Sequence, residues 1–578
     1  MIDIKSFLIK KLSKAMISSG ISKNFVASIN QSSKNQKFGD YQIACIIQIA
    51  KKMNISSIKL AKKVYCLLDL HGIGKKKLVN PGFINIYLYD KWIIKNILKC
   101  SKSRILIRKT DRPKKIIVDY SSPNVAKNMH IGHLRSTVIG DSIVRILNIL
   151  GHKVIRVNHI GDWGTQFGML IAFLKVFKKN KIQFLNLDEL DSIYKKSKKL
   201  YESNERFAKL SRRCVVKLQQ GNKYCRMIWK KLVSITLSKN QEIYNRMNIL
   251  LNLDDVKGES AYQSMLKKVV SDLVSKGIAI KSKGAIVIHC SQMNKSEKKY
   301  SNSVIVIQKQ DGGYLYSTTD IACLKYRCQT LKAERILYYT DSRQKSYMSQ
   351  IISIAKMAGY IPKSVSVEHH SFGMMLGDDK KPFKSRSGKT IILSKLLDEA
   401  VNKARSVLDN RNFISDIEKK EISNSIGIGA IKYFDLSKNK KTDYVFNWDK
   451  ILSFNGNTSC YLQYAYTRIV SILKKSDTNI CMLPNSFILT KKIERNLAVH
   501  LLQFEEKIKE IENNGLSNVL CLYLYKLSNL FSIFYKDCSV IYEKTVEVKN
   551  SRLKLIFLTK RILKTGLNLL GIDEIRKM

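Results

Sequence analysis

The sequence predicts a multidomain α/β protein: a parallel-sheet domain built on a βαβ unit, a small α+β unit before it and an all-α bundle after it. Three observations carry this expectation. Ile116-Ile117-Val118-Asp119-Tyr120 is a buried-type strand stopped by Pro123. The stretch from about His130 to Leu150 has a helical apolar stripe and is closed by Gly151, and Val154-Ile155-Arg156-Val157 follows as a strand, so a parallel pair is implied. From about Ser415 the periodicity is helical to the end, broken by a loop from Ser476 to Asn485.

In chain order, Ile4 to Ser18 and Tyr41 to Lys52 predict amphipathic helices, and Gly82-Phe83-Ile84-Asn85-Ile86-Tyr87-Leu88 predicts a strand after the turn Asn80-Pro81-Gly82. The polar, basic segment Lys99 to Lys115 reads as a linker. Residues from about 170 to 300 exceed what a simple crossover needs and predict a mainly helical insertion. Ser303 to Leu315 is β-like with a turn at Asp311-Gly312-Gly313, after which helix and strand signals alternate to about Tyr360. The expected divisions are 1–108, 109–414 with the insertion inside it, and 415–578.

A chain of 578 residues with 45% apolar content can bury several cores. No apolar run reaches the roughly 18 residues of a membrane span, and the first residues lack a signal-peptide apolar block, so a cytoplasmic protein is expected. Its 12 cysteines show no C-x-x-C pair and no zinc spacing; reduced thiols and no protein-bound zinc are expected. The 102 Lys+Arg against 46 Asp+Glu leave a net charge of +56, which fits a polyanionic partner. Drift of an AT-rich genome toward Lys, Ile and Asn would produce the same surplus, and the lysines form no single tract.

The loop between the strand and the helix carries the chemistry. In α/β folds such a loop binds anions, because free N–H groups and the positive helix end face the crevice at the strand ends. Here the first turn holds His130-Ile131-Gly132-His133. Two imidazoles can donate hydrogen bonds to phosphate oxygens, Gly132 leaves room for a flat base against the backbone, and Lys127 adds a charge. The alternative is that His130 merely caps a helix. Tyr316 and Asp320, four apart at a helix start, can share a face; alternatively, Ser317-x-x-Asp320 is a capping pattern and Tyr316 is packing.

His130-Ile131-Gly132-His133 resembles the first signature of class I aminoacyl-tRNA synthetases. The surrounding Asp119 to Gly168, with Ser122-Pro123-Asn124-Val125-Ala126-Lys127 and Asn158-His159-Ile160-Gly161-Asp162-Trp163-Gly164, resembles the arginyl-tRNA synthetases, closest to the bacterial members, and the similarity runs to Gly571-Ile572. The resemblance implies a class I Rossmann-like catalytic domain, an N-terminal additional domain that contacts the tRNA elbow and a C-terminal anticodon-binding bundle. It implies ATP with Mg2+, L-arginine and the arginine tRNA as partners, and arginine activation that requires bound tRNA; a monomer is expected. The chain lacks Lys-Met-Ser-Lys-Ser. Phe383-Lys384-Ser385-Arg386-Ser387-Gly388, after Phe372-Gly373-Met374-Met375, is similar to the degenerate form in this family, with Lys127 standing in for the missing second lysine.

By the same resemblance His130, His133, Lys127, Lys384 and Arg386 are catalytic, and Ile131, Gly132, Gly373, Met374 and Met375 join the histidines in binding ATP. Asn124, His159, Tyr316, Asp320 and Gln344 match arginine-contacting positions, with Asp320 as the charge partner. Gly39-Asp40-Tyr41 matches the additional domain, and Phe83 and Asn85 there, like Tyr461, Gln463 and Tyr464 in the anticodon domain, match tRNA-binding positions. Tyr461, Gln463 and Tyr464, in Tyr461-Leu462-Gln463-Tyr464-Ala465-Tyr466, match the anticodon domain, although an aromatic stripe at helical spacing is equally read as core.

Overall fold

The computed structural model describes residues 3–31, 38–177, 185–289, 304–377, 379–381, 391–408, 415–479 and 482–575. Its centre is a parallel four-stranded sheet in which Lys115–Asp119 lies between Lys153–Val157 and Arg335–Tyr338, with Ser366–His369 outermost. Ile117 pairs with Ile155 on one side and Ile336 on the other. The buried run Ile116, Ile117, Val118 is what a strand covered on both faces requires. From Lys115–Asp119 the chain proceeds outward in one direction to Lys153–Val157, and from Arg335–Tyr338 in the other to Ser366–His369. The crevice between the carboxyl ends of the two central strands is therefore the topological switch point, the usual ligand position in such sheets. Below it Arg327 and Asp119, both buried, form an ion pair at 2.6 Å, with the guanidinium 5.0 Å over the Tyr338 ring.

The sequence-based elements hold in outline with three corrections. Tyr41–Ile43 is a strand, and the helix begins only at Cys45 (Cys45–Lys52). Tyr41 and Ile43 alternate into the core against Phe83–Leu88, which the helical reading of Tyr41 did not allow for. The helix Asp90–Lys102 runs into the expected linker, because Ile93, Ile97 and Cys100 form a buried stripe. The insertion is helical through Gln263–Ser275 but ends in the strands Ile280–Ser282 and Ala285–His289, which form an antiparallel sheet with Val304–Gln308, part of the expected β-like stretch from Ser303.

The N-terminal unit docks on the C-terminal helices. Arg495 grips Asp40 with both terminal nitrogens at 3.0 and 2.8 Å, and Tyr41 Oη donates to Glu506 at 2.9 Å. Gly39-Asp40-Tyr41 is thus a joint between domains in this chain. The helix Asp416–Leu436 packs on the helix Ile131–Ile149 and on the bundle helices Ser459–Lys475 and Asn518–Asp537. Among the described residues no helix is long and apolar enough to cross a membrane, and no cluster of three His, Cys, Asp or Glu could hold a metal ion.

Candidate active site

Beyond the central strand the chain turns through Ser121, Ser122 and Ala126, whose φ angles are 71°, 49° and 61°. Non-glycine residues adopt that region at a cost of about 1–3 kcal/mol each and need surrounding structure to hold them there. Ser136 Oγ accepts the Ser121 N–H at 2.9 Å, Asn158 Oδ1 that of Ser122 at 3.0 Å, and Thr236 Oγ1 that of Ala126 at 3.0 Å. The loop so held delivers His130 to the N-cap position of the helix Ile131–Ile149.

There His130 Nδ1 accepts the Gly132 N–H at 3.1 Å, and His133 Nδ1 accepts the His130 N–H at 3.1 Å. Capping and phosphate contact are therefore compatible. A ring nitrogen that accepts a backbone N–H carries no proton, so each neutral imidazole holds its proton on Nε2 and can donate it. Burial, then the Lys127 charge, lowers the pKa of His130; burial, then His130, brings His133 down to about 3. Both are neutral donors near pH 7. The missing side chain of Gly132 also makes room for the capping ring, since a Cβ there would lie 2.8 Å from His130 Cε1. Lys127 Nζ lies 4.3 Å over the ring of Tyr194, a residue of the insertion.

The second half of the crevice is anionic. Tyr316 and Asp320 open the helix Tyr316–Lys325, but the capping alternative fails. Leu315 holds the N-cap position, no side chain caps the helix, and Ser317 Oγ donates to the Val306 carbonyl at 2.8 Å. Asp320 instead accepts a hydrogen bond from Tyr347 Oη, on the helix Lys345–Met357. The largely exposed Tyr316 ring lies 5.3 Å from that of Tyr347, and Gln344, also exposed, is three residues earlier at the helix N-cap. His159 Nε2 is 3.7 Å from Asp320 Oδ1. Both His159 ring nitrogens are buried without a hydrogen-bond partner among the described residues.

Glu259, on the insertion, joins this cluster. Burial, then the charges of Asp320 and Asp162, push its carboxyl up to about 8. Asp162 is fixed by the Ser260 N–H at 2.9 Å and its Oγ at 2.6 Å. Asn124, exposed, bridges to Gly161, where a Cβ would lie 2.9 Å from Asn124 Oδ1. Carboxylates, a phenol and an unpartnered imidazole around one space suit a planar cation with several N–H donors. Sequence reasoning missed Tyr347 and Glu259. Tyr347 was signalled only by its i+3 relation to Gln344; Glu259 had no local signal.

Residues 94–448 match the family model for tRNA synthetases class I (R), catalytic domain; residues 3–88 match the arginyl tRNA synthetase N terminal domain and 462–578 the DALR anticodon binding domain. The chain belongs to the arginyl-tRNA synthetase family. The arginine–tRNA ligases of Photorhabdus laumondii and Yersinia enterocolitica are each 48% identical to it over 578 residues, covering 100% of both chains. The crystal structure of the Plasmodium falciparum arginyl-tRNA synthetase matches with a TM-score of 0.86 at 31% identity, covering 100% of both chains. That of Thermus thermophilus matches at 0.82 and 22% over 100% of both chains, a likeness of fold.

In this arginyl-tRNA synthetase family member, Lys384 and Arg386 lie outside the described residues. The segment leading to them is anchored: the Gly373 N–H donates to the Lys440 carbonyl at 2.8 Å, and the Met374 N–H to Asp443 Oδ1 at 2.6 Å. Met375–Leu376 pairs in parallel with Tyr444–Val445. Met375 is buried and Met374 half-buried. Two residues matched to RNA contacts face inward. Asn85 is 1% exposed with its Oδ1 accepting from Gln42 Nε2 at 2.9 Å, and Gln463 is 0% exposed with its Nε2 donating to the Asp573 carbonyl at 2.9 Å. Both amides serve packing and offer no surface to RNA. Phe83 is half-buried; Tyr461 is half-buried against Tyr525, with its Oη 3.2 Å from Ser532 Oγ. Tyr464, 44% exposed, is the open ring of the bundle set.

Proposed function

We propose that this chain joins L-arginine to its tRNA at the expense of ATP, in two steps within the crevice at the switch point. Arginine docks with its guanidinium against Asp320 and Glu259, Tyr316 and Tyr347 at its flank, and with Asn124, His159 and Gln344 around its remaining polar groups. A carboxylate oxygen attacks the α-phosphate of ATP, which enters as its Mg2+ chelate, and the bond to pyrophosphate breaks. His130 and His133 donate Nε2–H to the oxygens whose charge grows, Lys127, Lys384 and Arg386 add full positive charges, and the backbone of Ile131, Gly132 and Gly373 to Met375 lines the nucleotide. A hydroxyl of the terminal tRNA ribose then attacks the activated carbonyl and AMP departs. Positioning and fixed donors supply the rate, so no covalent enzyme intermediate is needed.

The pairing of neutral imidazole donors with an anionic pocket in one crevice carries this reading. Tyr464, Tyr461 and Phe83 are the aromatic candidates for RNA contact, Tyr464 foremost because its ring is open. The test is aminoacylation of purified tRNA with each standard amino acid in turn. Charging with arginine alone is expected; charging with another amino acid and not arginine overturns the pocket assignment. The protein acts as a cytoplasmic monomer in this proposal, which sedimentation with and without tRNA checks.

A further inference from the structure

We propose that Arg135 is a positioning residue that sets the spacing between the histidine pair and the Gly373–Met375 segment across the nucleotide crevice. It lies on the first turns of the helix that begins with the histidines, and its side chain is 2% exposed. Its Nη1 donates to the Gly373 carbonyl at 2.8 Å and to the Thr442 carbonyl at 3.1 Å. Nε stands 3.2 Å from Asp435 Oδ2, and the guanidinium carbon 4.8 Å over the Tyr444 ring and 5.9 Å from that of Phe372. One buried cation thus joins the histidine-bearing helix, the strand pair Met375–Leu376 with Tyr444–Val445, and the helix Asp416–Leu436 that packs on the C-terminal bundle.

The guanidinium's fork is what the junction requires. A lysine ammonium carries one compact charge and cannot span two carbonyls and a carboxylate in those directions. A buried ion pair adds little net stability over well-packed apolar residues, so the contribution of this one lies in geometry. Asp435 Oδ2 also accepts from Tyr444 Oη at 2.6 Å, which holds the carboxylate in place for Arg135. Asp435 fixes the rotation of the guanidinium through Nε, so weakening that contact lets the fork turn away from the two carbonyls. The inference rests on the placing of the nucleotide in this crevice.

The test compares full-length Arg135→Lys and Asp435→Asn with wild type in pyrophosphate exchange with tRNA present, alongside thermal unfolding and active-site titration. Both variants should lose about 100-fold in kcat/KM for ATP per active site while the arginine KM moves less than about threefold, the pattern of a misplaced nucleotide. A purely structural role would lower Tm and the active fraction but leave kcat/KM per active site unchanged, and that result overturns the proposal. Should Arg135→Lys not fold, the near-isosteric Asp435→Asn decides alone. His133→Asn measured in parallel separates the two readings: full activity there overturns the crevice assignment itself, whereas its loss beside an unaffected Asp435→Asn overturns only the role of Arg135.

Discussion

Tyr347 Oη donates its hydrogen to Asp320 Oδ2, joining two helices that flank the crevice and orienting the carboxylate beside His159. The bond fixes one oxygen and leaves the other toward the orphaned imidazole. An incoming guanidinium would find a carboxylate already aimed.

Asp320→Asn should therefore raise the arginine KM by roughly 100-fold or more, since it leaves a buried substrate cation without its charge partner. Tyr347→Phe should raise it about tenfold by losing one hydrogen bond to a charged group. Pyrophosphate exchange with cognate tRNA present checks both; wild-type arginine KM in Asp320→Asn would remove Asp320 from the pocket.

Arginine binding should release a proton. Glu259, raised to about 8 by burial and by Asp320 and Asp162, is largely protonated at pH 7. A bound guanidinium favours the ionised form and pulls that pKa down, so affinity should increase as pH rises from 6 toward about 8 and then level. Calorimetry in buffers of differing ionisation enthalpy measures the release directly. Glu259→Gln should abolish it; an unchanged release would place the proton elsewhere.

The two imidazole nitrogens have separable duties. His133→Asn, whose Oδ1 can replace Nδ1 as acceptor of the His130 N–H, should fold with near wild-type Tm but lose about 100-fold or more in kcat, as removal of a charge-stabilising donor does. His133→Gln should show the reverse balance, with a lower Tm from the lost backbone acceptor. Equal Tm and equal kcat losses in the two variants would contradict the division.

Stability should fall in acid, in part through His133. Its folded pKa of about 3 lies below the ordinary 6.5, so between those values the unfolded chain binds the additional proton. The stabilising contribution is complete above about pH 6.5 and is lost as pH falls toward 3. His133→Asn should flatten that part of the Tm-against-pH curve, and an unaltered slope would mean the imidazole is not held neutral.

The joint between domains also has a measurable weight. Arg495 holds Asp40 with two bonds and Asp90 at 2.8 Å, with its own side chain 25% exposed. Arg495→Met should cost about 1–2 kcal/mol, less than a fully buried pair because solvent screens it. Urea unfolding followed by a probe in residues 3–88 should show that unit loosening first; a single unchanged transition would show that apolar contacts alone hold it.

The histidine pair and the strand on which it depends were legible because their determinants are local: an apolar run, a proline stop, a helix start and imidazoles at fixed spacing. Asp320 was legible as to position, not as to environment. Asn85 shows where pattern reading stops. It is flanked by Ile84 and Ile86, all three buried, so alternation along Phe83–Leu88 gives no sign of which face meets solvent. Gln463 sits among aromatics on a helix whose exposed stripe depends on where residues 572–575 return to pack.

What the sequence by itself determined was the parallel-sheet domain, the anion-binding turn and the family to which both belong. Only the tertiary structure decided that Tyr347 bonds to Asp320 with Glu259 near enough to feel its charge, that Arg135 is committed to Gly373 and Asp435, and that Asp40 and Tyr41 bind the C-terminal helices. Those partners are far apart in the chain. Charge and hydrogen bonding act over a few ångströms of space, and periodicity records only a residue's near neighbours.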